Sequence, residues 1–65
     1  MPFTPRQKQK EAEREVAMRR TVYGRRVQGR AMSQEEADKQ IAIMVEIAED
    51  YKAEADLLEG VGRLL

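Results

Sequence analysis

The sequence contains no cysteine, no histidine and no tryptophan. Without cysteine, neither a disulfide framework nor a zinc site can stabilise so short a chain. The usual catalytic nucleophile and general base are missing as well, and the single serine, Ser33, is assigned below to a helix cap. From these absences we expect no enzymatic activity, no cofactor and no metal site.

Long apolar runs are also absent. No segment approaches the length of a membrane-spanning helix, and the N-terminal region carries charges from Arg6 onward, unlike a signal peptide. We therefore expect an intracellular protein of the cytoplasm with no membrane partner.

The chain is short, at 65 residues, and holds one domain at most. A single chain of this length buries too little surface to be comfortably stable. We therefore expect it to associate with a second copy of itself.

Capping signals predict two helices. Thr4 suits the N-cap of a first helix, expected over about 5–28. Ser33, with Glu36 three residues later, has the pattern of a capping box and begins a second helix, expected over about 34–59.

Glycines mark the expected helix ends. Gly29 suits the left-handed position just past a helix C-terminus, which gives a turn over 29–33. Gly60 is expected to take the same position after the second helix, leaving a short apolar tail over 60–65. The prediction is a single all-α domain, 1–65, folded as an antiparallel two-helix hairpin.

Each predicted helix carries an apolar stripe at helical spacing. The stripe of helix 1 is narrow and consists of Ala12, Val16, Tyr23 and Val27. The second helix has a longer seam at alternating four- and three-residue spacing: Ala37, Ile41, Met44, Ala48, Tyr51, Ala55 and Leu58. These two stripes are expected to face each other, and the alanines would let the helices approach closely.

The apolar arc of helix 2 is wider than one neighbouring helix can cover. Ile43, Val45 and Ile47 extend it to about half the circumference, beyond the roughly 100° face of an ordinary surface helix. We expect a second copy to cover the rest, giving an antiparallel homodimer that is a four-helix bundle. The residues expected in the core or the dimer interface are Val16, Tyr23, Val27, Ile41, Met44, Ile47, Ala48, Tyr51 and Leu58.

Charge is segregated although the net charge is zero. Residues 1–30 hold nine Arg or Lys against three Glu, and residues 31–65 hold nine Asp or Glu against three Arg or Lys. This segregation favours antiparallel pairing of a basic helix with an acidic one, with the arginine run facing the acids of helix 2.

Helix 1 has a surplus patch outside its stripe. Met18 and Val22 fall together on another side and are either in contact with a dimer mate, partly exposed, or part of a binding site. The candidate partner-binding residues are Met18, Arg19, Arg20, Val22, Arg25, Arg26 and Arg30. Their arginines suit a protein partner, because the planar guanidinium pairs with carboxylates and stacks on aromatic rings. They also suit nucleic-acid phosphates, although an acidic helix 2 and zero net charge weaken that reading.

The middle of the chain combines a basic run before Val22-Tyr23, the Gly29–Gln34 turn, Ala37-Asp38, and an Ile- and Met-rich helix that ends in Asp50-Tyr51. This pattern resembles that of a family of small, mostly uncharacterised phage and prophage proteins. It implies a phage origin and early, host-directed action. It also suggests a relation to small helical phage proteins that bind host regulators, such as an anti-activator of quorum sensing.

The sequence therefore predicts a non-enzymatic, phage-encoded protein in the host cytoplasm. Its expected role is to dock on a host protein, such as a transcriptional regulator, and to inhibit it through the arginine-rich surface of helix 1. The alternative is a nucleic-acid-binding accessory protein that uses the same arginines on phosphates. A structural phage subunit is a third hypothesis.

Overall fold

Two antiparallel α-helices joined by a short turn make up the computed structural model, which describes the backbone of residues 2–64 and the side chains of residues 2–60. Helix α1 spans Pro5–Gln28 and helix α2 spans Gln34–Leu64. Within that described part the fold is all-helical, without strands, and measures 53 × 19 × 16 Å. The chain is thus the helical hairpin that the sequence predicts.

Helix α2 is longer than predicted. It continues to Leu64 instead of ending at about Glu59, so the proposed tail over 60–65 is helical as far as residue 64, and Leu65 lies outside the described residues. Gly60 does not adopt a left-handed conformation. Glycine inside a helix costs about 1 kcal/mol relative to alanine, which lowers helix stability without requiring an end.

The start of each helix is capped as its residues suggest. The Thr4 hydroxyl accepts the backbone N–H of Gln7 at 3.2 Å, and the Gln7 side chain accepts the backbone N–H of Thr4 at 2.9 Å, which is a complete capping box. The Ser33 hydroxyl accepts the backbone N–H of Glu36 at 3.1 Å. The return bond from Glu36 is not formed within the described residues, so the second cap is only half of a capping box.

The end of α1 differs from the prediction by one residue. Arg30 has the left-handed φ of 61°, whereas Gly29 has an ordinary φ of −80°. The Ala31 N–H donates to the Arg26 carbonyl at 2.8 Å and the Arg30 N–H donates to the Val27 carbonyl at 3.1 Å. These are the two bonds of a Schellman motif with Arg30 at the position usually taken by glycine.

The core of the hairpin is made of alanines. Within residues 2–60, the buried apolar residues are Ala12, Ala37, Ala48 and Ala55, and Gln9 is the buried polar residue. The larger predicted core residues are half-buried around them: Val16, Tyr23, Val27, Ile41, Met44 and Tyr51. Small side chains on the line of contact allow the helices to pack closely, so the bulkier ones lie at its edges.

Leu58 departs from the predicted seam and is 54% exposed. It lies beside Thr4 and Pro5, where α1 begins, so the first helix has no further turn to cover it.

Candidate interaction surface

Contacts across the hairpin show which sides of the helices lie together. The Arg19 Nη1 donates to the Gln40 carbonyl oxygen at 2.9 Å, and the Tyr23 hydroxyl donates to Gln40 Oε1 at 3.2 Å. Arg19 also pairs with Glu15 at 3.0 Å, and its guanidinium lies 5.9 Å from the centre of the Tyr23 ring. Arg19, Tyr23 and Gln40 therefore lie on one side of the hairpin.

Four exposed apolar residues share that side. On α2, Ile43 and Ile47 follow Gln40 by three and seven residues, and on α1, Val22 follows Arg19 by three residues and Met18 by four. Met18 is 51% exposed, Val22 39%, Ile43 46% and Ile47 37%. We call these four residues the apolar face.

The apolar face unites two features that the sequence suggests separately. Met18 and Val22 line a surface hollow with Glu15, Arg19 and Tyr23. Since Tyr23 contacts Gln40, near the start of α2, this hollow lies level with the N-terminal half of α2. The surplus patch of helix 1 and the Ile43 and Ile47 part of the excess arc of helix 2 thus form one surface, which neither helix covers. Val45, which the sequence predicts in the same arc, instead lines a separate hollow with Glu13 and Val16.

The arginine run does not pair with the acids of α2, contrary to the expectation from charge segregation. Arg19 binds Glu15 of its own helix and a backbone carbonyl of α2. In the part of the chain whose side chains are described, four exposed arginines form no ion pair: Arg20, Arg25, Arg26 and Arg30. Their charge is available to an external group.

These free arginines do not all lie on the same side. Arg20 follows Met18 by two residues, or about 200° around the helix, and therefore lies away from the apolar face. Arg25 and Arg26 follow Val22 by three and four residues and lie on its side. The candidate set predicted from the sequence is therefore divided between two surfaces.

Arg25, Arg26 and Arg30 all lie near the turn, and we call these three arginines the basic end. The Arg25 and Arg26 carbonyls bond the turn backbone, which ties the position of this cluster to the Schellman motif. The same end also carries Glu35 and Glu36 in the first turn of α2, where acidic groups favour the helix dipole. The basic end is thus an arginine cluster next to a small acidic group.

The opposite, open end of the hairpin holds the ion pairs between helices. Arg6 Nη2 lies 2.7 Å from Asp56 Oδ1 and 2.6 Å from Glu59 Oε2. The hydrogen bond that Arg6 donates to Glu59, followed by the one it donates to Asp56, raises the pKa of Arg6, and the bond from Arg6 lowers the pKa of Asp56. Arg6 also donates to the side chain of buried Gln9.

Sequence reasoning missed this open-end cluster. The sequence signal that could have revealed it is the number of residues between the turn and each position. Arg6 and Asp56 lie about equally far from the turn along their helices, so an antiparallel hairpin places them opposite each other. The missed Gln9 lies next to it and donates to Glu13 at 3.0 Å.

Among the described residues, no group of three or more Asp, Glu, His or Cys is arranged to hold a metal ion. None of their helices is both long enough and apolar enough to span a bilayer.

The class of protein defined by this geometry is an all-helical hairpin with an apolar face and a basic end. Comparisons with protein-family models, with curated proteins and with solved structures gave no match. These comparisons therefore give no support to the resemblance to the phage family.

Proposed function

We propose that this chain is a non-enzymatic binding protein that docks through its basic end on an acidic surface of another protein. The observation that carries the proposal is that Arg25, Arg26 and Arg30 are exposed and form no ion pair within the described residues. The target is a host protein such as a transcriptional regulator, which binding inhibits by occlusion; the resemblance to phage proteins supports this choice of target.

Arginine clusters favour this type of contact. The guanidinium offers a planar set of donors that binds a carboxylate through two parallel hydrogen bonds, and it stacks on aromatic rings. Arginine is also enriched among the residues that dominate binding energy at protein interfaces. A target with exposed carboxylates next to an aromatic side chain fits the basic end.

We also propose that the binding protein is a homodimer. Among the side chains of residues 2–60, the buried apolar ones are four alanines, which is a small core for one hairpin. The apolar face is the surface that a second copy would cover, giving the four-helix bundle that the sequence predicts. Met18 and Val22 are thereby reassigned from the partner-binding set to the contact between copies.

Nucleic acid is the second candidate partner, because the same unpaired arginines could contact phosphates. Glu35 and Glu36 at the same end would repel a phosphate backbone, which favours a protein target. A duplex and a single-stranded DNA titrated at low salt separate the two candidates. Binding that falls steeply with added salt would support the nucleic-acid function.

The docking proposal is tested by charge reversal at the basic end. Tagged wild-type protein should recover a stoichiometric protein from host lysate, and the Arg26→Glu/Arg30→Glu double variant should lose it. Arg14→Glu is the control, because Arg14 is highly exposed and lies away from the turn. Circular dichroism should show unchanged helix content in all three proteins. A failure to recover any stoichiometric partner, or equal recovery by the double variant, would contradict docking through the basic end.

A further inference from the structure

We infer that the apolar face is covered by a second copy of this chain and that the two hairpins stack antiparallel. The turn of each hairpin then lies against the open end of the other. This inference rests on the proposed homodimer; it argues the antiparallel orientation from the charges of the surface and names the residues that meet between the copies.

The apolar face lies within a second seam that runs along both helices. On α1 the seam positions follow four- and three-residue spacing: Glu11, Glu15, Met18, Val22 and Arg25. On α2 they are Glu36, Gln40, Ile43, Ile47, Asp50 and Glu54. Such spacing keeps these residues on one side of each helix, which is the geometry of helices that pack against each other in bundles.

The seam is apolar only in its middle. Because Tyr23 lies opposite Gln40, Met18 and Val22 lie at about the level of Ile43 and Ile47. The four apolar residues therefore form one patch near the middle of the hairpin, with charged groups on both sides along its length. A patch in this position allows a second hairpin to be centred on it in either orientation.

Charge selects the orientation. At the turn, the seam side carries the basic end and Lys39 against Glu36, so positive charge is in excess. Towards the open end it carries Glu11, Asp50 and Glu54 against Lys8, which lies 5.6 Å over the Tyr51 ring, so negative charge is in excess. An antiparallel stack places these unlike ends together, whereas a parallel stack places like ends together.

Individual contacts are divided between the two orientations. A two-fold axis in the plane of the apolar face lays α1 of antiparallel hairpins on α1 of the second copy, so Glu15 meets Arg25 of that copy, but it also brings Glu36 towards Glu54 of the second copy, which is unfavourable. A parallel stack lays α1 on α2, which brings Arg25 towards Glu36 but places Glu11 beside both Asp50 and Glu54. The orientation is therefore decided by the excess charge of the two ends and not by single pairs.

The absence of cysteine allows a direct test by cross-linking. A mixture of the single-cysteine variants Glu15→Cys and Arg25→Cys should form a disulfide-linked heterodimer on mild oxidation. A mixture of Arg25→Cys and Glu36→Cys should not, since these positions are close only in the parallel stack. Efficient cross-linking of the second mixture and not the first would overturn the antiparallel orientation while leaving the homodimer intact.

Mass in solution separates this inference from the homodimer itself. Sedimentation of the wild-type protein should give the mass of two chains. Ile43→Lys should raise the dimer dissociation constant by ~100-fold or more, because each copy loses a buried isoleucine. Glu49→Lys should leave it unchanged, because Glu49 is exposed, follows Ile47 by two residues, or about 200° around the helix, and lines a different hollow with Val16 and Val45. A monomeric wild type would overturn both the homodimer and its orientation, whereas docking through the basic end is measured separately by the capture experiment.

Discussion

Arg6 and Asp56, fifty residues apart in the chain, form an ion pair that closes the open end of the hairpin. The 2.7 Å contact joins the first turn of α1 to the C-terminal part of α2. The same guanidinium also donates to both carboxylate oxygens of Glu59, from Nε at 3.2 Å and from Nη2 at 2.6 Å. The basic helix and the acidic helix are therefore joined by charge at the open end, while the arginines near the turn remain available.

Removal of Arg6 should loosen the open end. We expect Arg6→Gln to lower the melting temperature and to speed amide exchange near Asp56, with little change near the turn, because both acids lose their shared donor. Arg14→Gln removes an equal charge from an exposed pair with Glu11 within one helix and should have a smaller effect. Equal effects of the two variants would show that the open-end pair does not hold the helices together.

Acidification should lower the stability of the fold through protonation of Asp56. The bond from Arg6, and then the bond from Lys52, lowers the pKa of Asp56 below its usual value of 3.8. A carboxyl whose pKa is lower in the folded than in the unfolded chain stabilises the fold above the unfolded pKa, and this contribution is lost as the pH falls through the folded value. Thermal melts from pH 7 to 2 should therefore show a smaller loss for Asp56→Asn than for the wild type. Parallel curves for the two proteins would contradict this assignment.

Enlarging the alanine core should separate the helices. Ala48 is buried in the helix contact, so we expect Ala48→Leu to lower the free energy of unfolding by about 1–3 kcal/mol through overpacking. Ala53 is exposed on the same helix, and Ala53→Leu should change it by no more than about 0.5 kcal/mol. Urea unfolding at one fixed protein concentration measures both. A neutral Ala48→Leu would mean that the helices are not in close contact there.

The position of the left-handed residue in the turn can be tested with two separate variants, one that places glycine at position 30 and one that removes it from position 29. Arg30→Gly should stabilise the protein by up to about 1 kcal/mol, because it relieves a left-handed residue. Gly29→Ala should be tolerated, since Gly29 has an ordinary φ and an added Cβ would lie 3.4 Å from the Arg25 carbonyl oxygen. Unfolding in urea provides the measurement. A loss of 1 kcal/mol or more in Gly29→Ala would instead place the left-handed residue at Gly29.

Local signals made much of the fold predictable. The Thr4 cap and the Ser33 cap act within a few residues of each helix start, so the sequence contains them in full. Helix ends are less predictable, because a glycine permits an end without requiring one. This explains why Gly60 lies within α2 and why Arg30, not Gly29, takes the left-handed position.

By itself, the sequence determined two helices, a turn between them, the segregation of charge and the apolar stripes, because each depends on residue spacing along one helix. Only the tertiary structure decided that Met18 and Val22 share a surface with Ile43 and Ile47 and that Arg6 binds Asp56 and Glu59. The physical reason is that these relationships depend on the register and rotation of one helix against the other. That register is set by packing among the alanines and by contacts such as Tyr23 with Gln40, which join residues far apart in the chain.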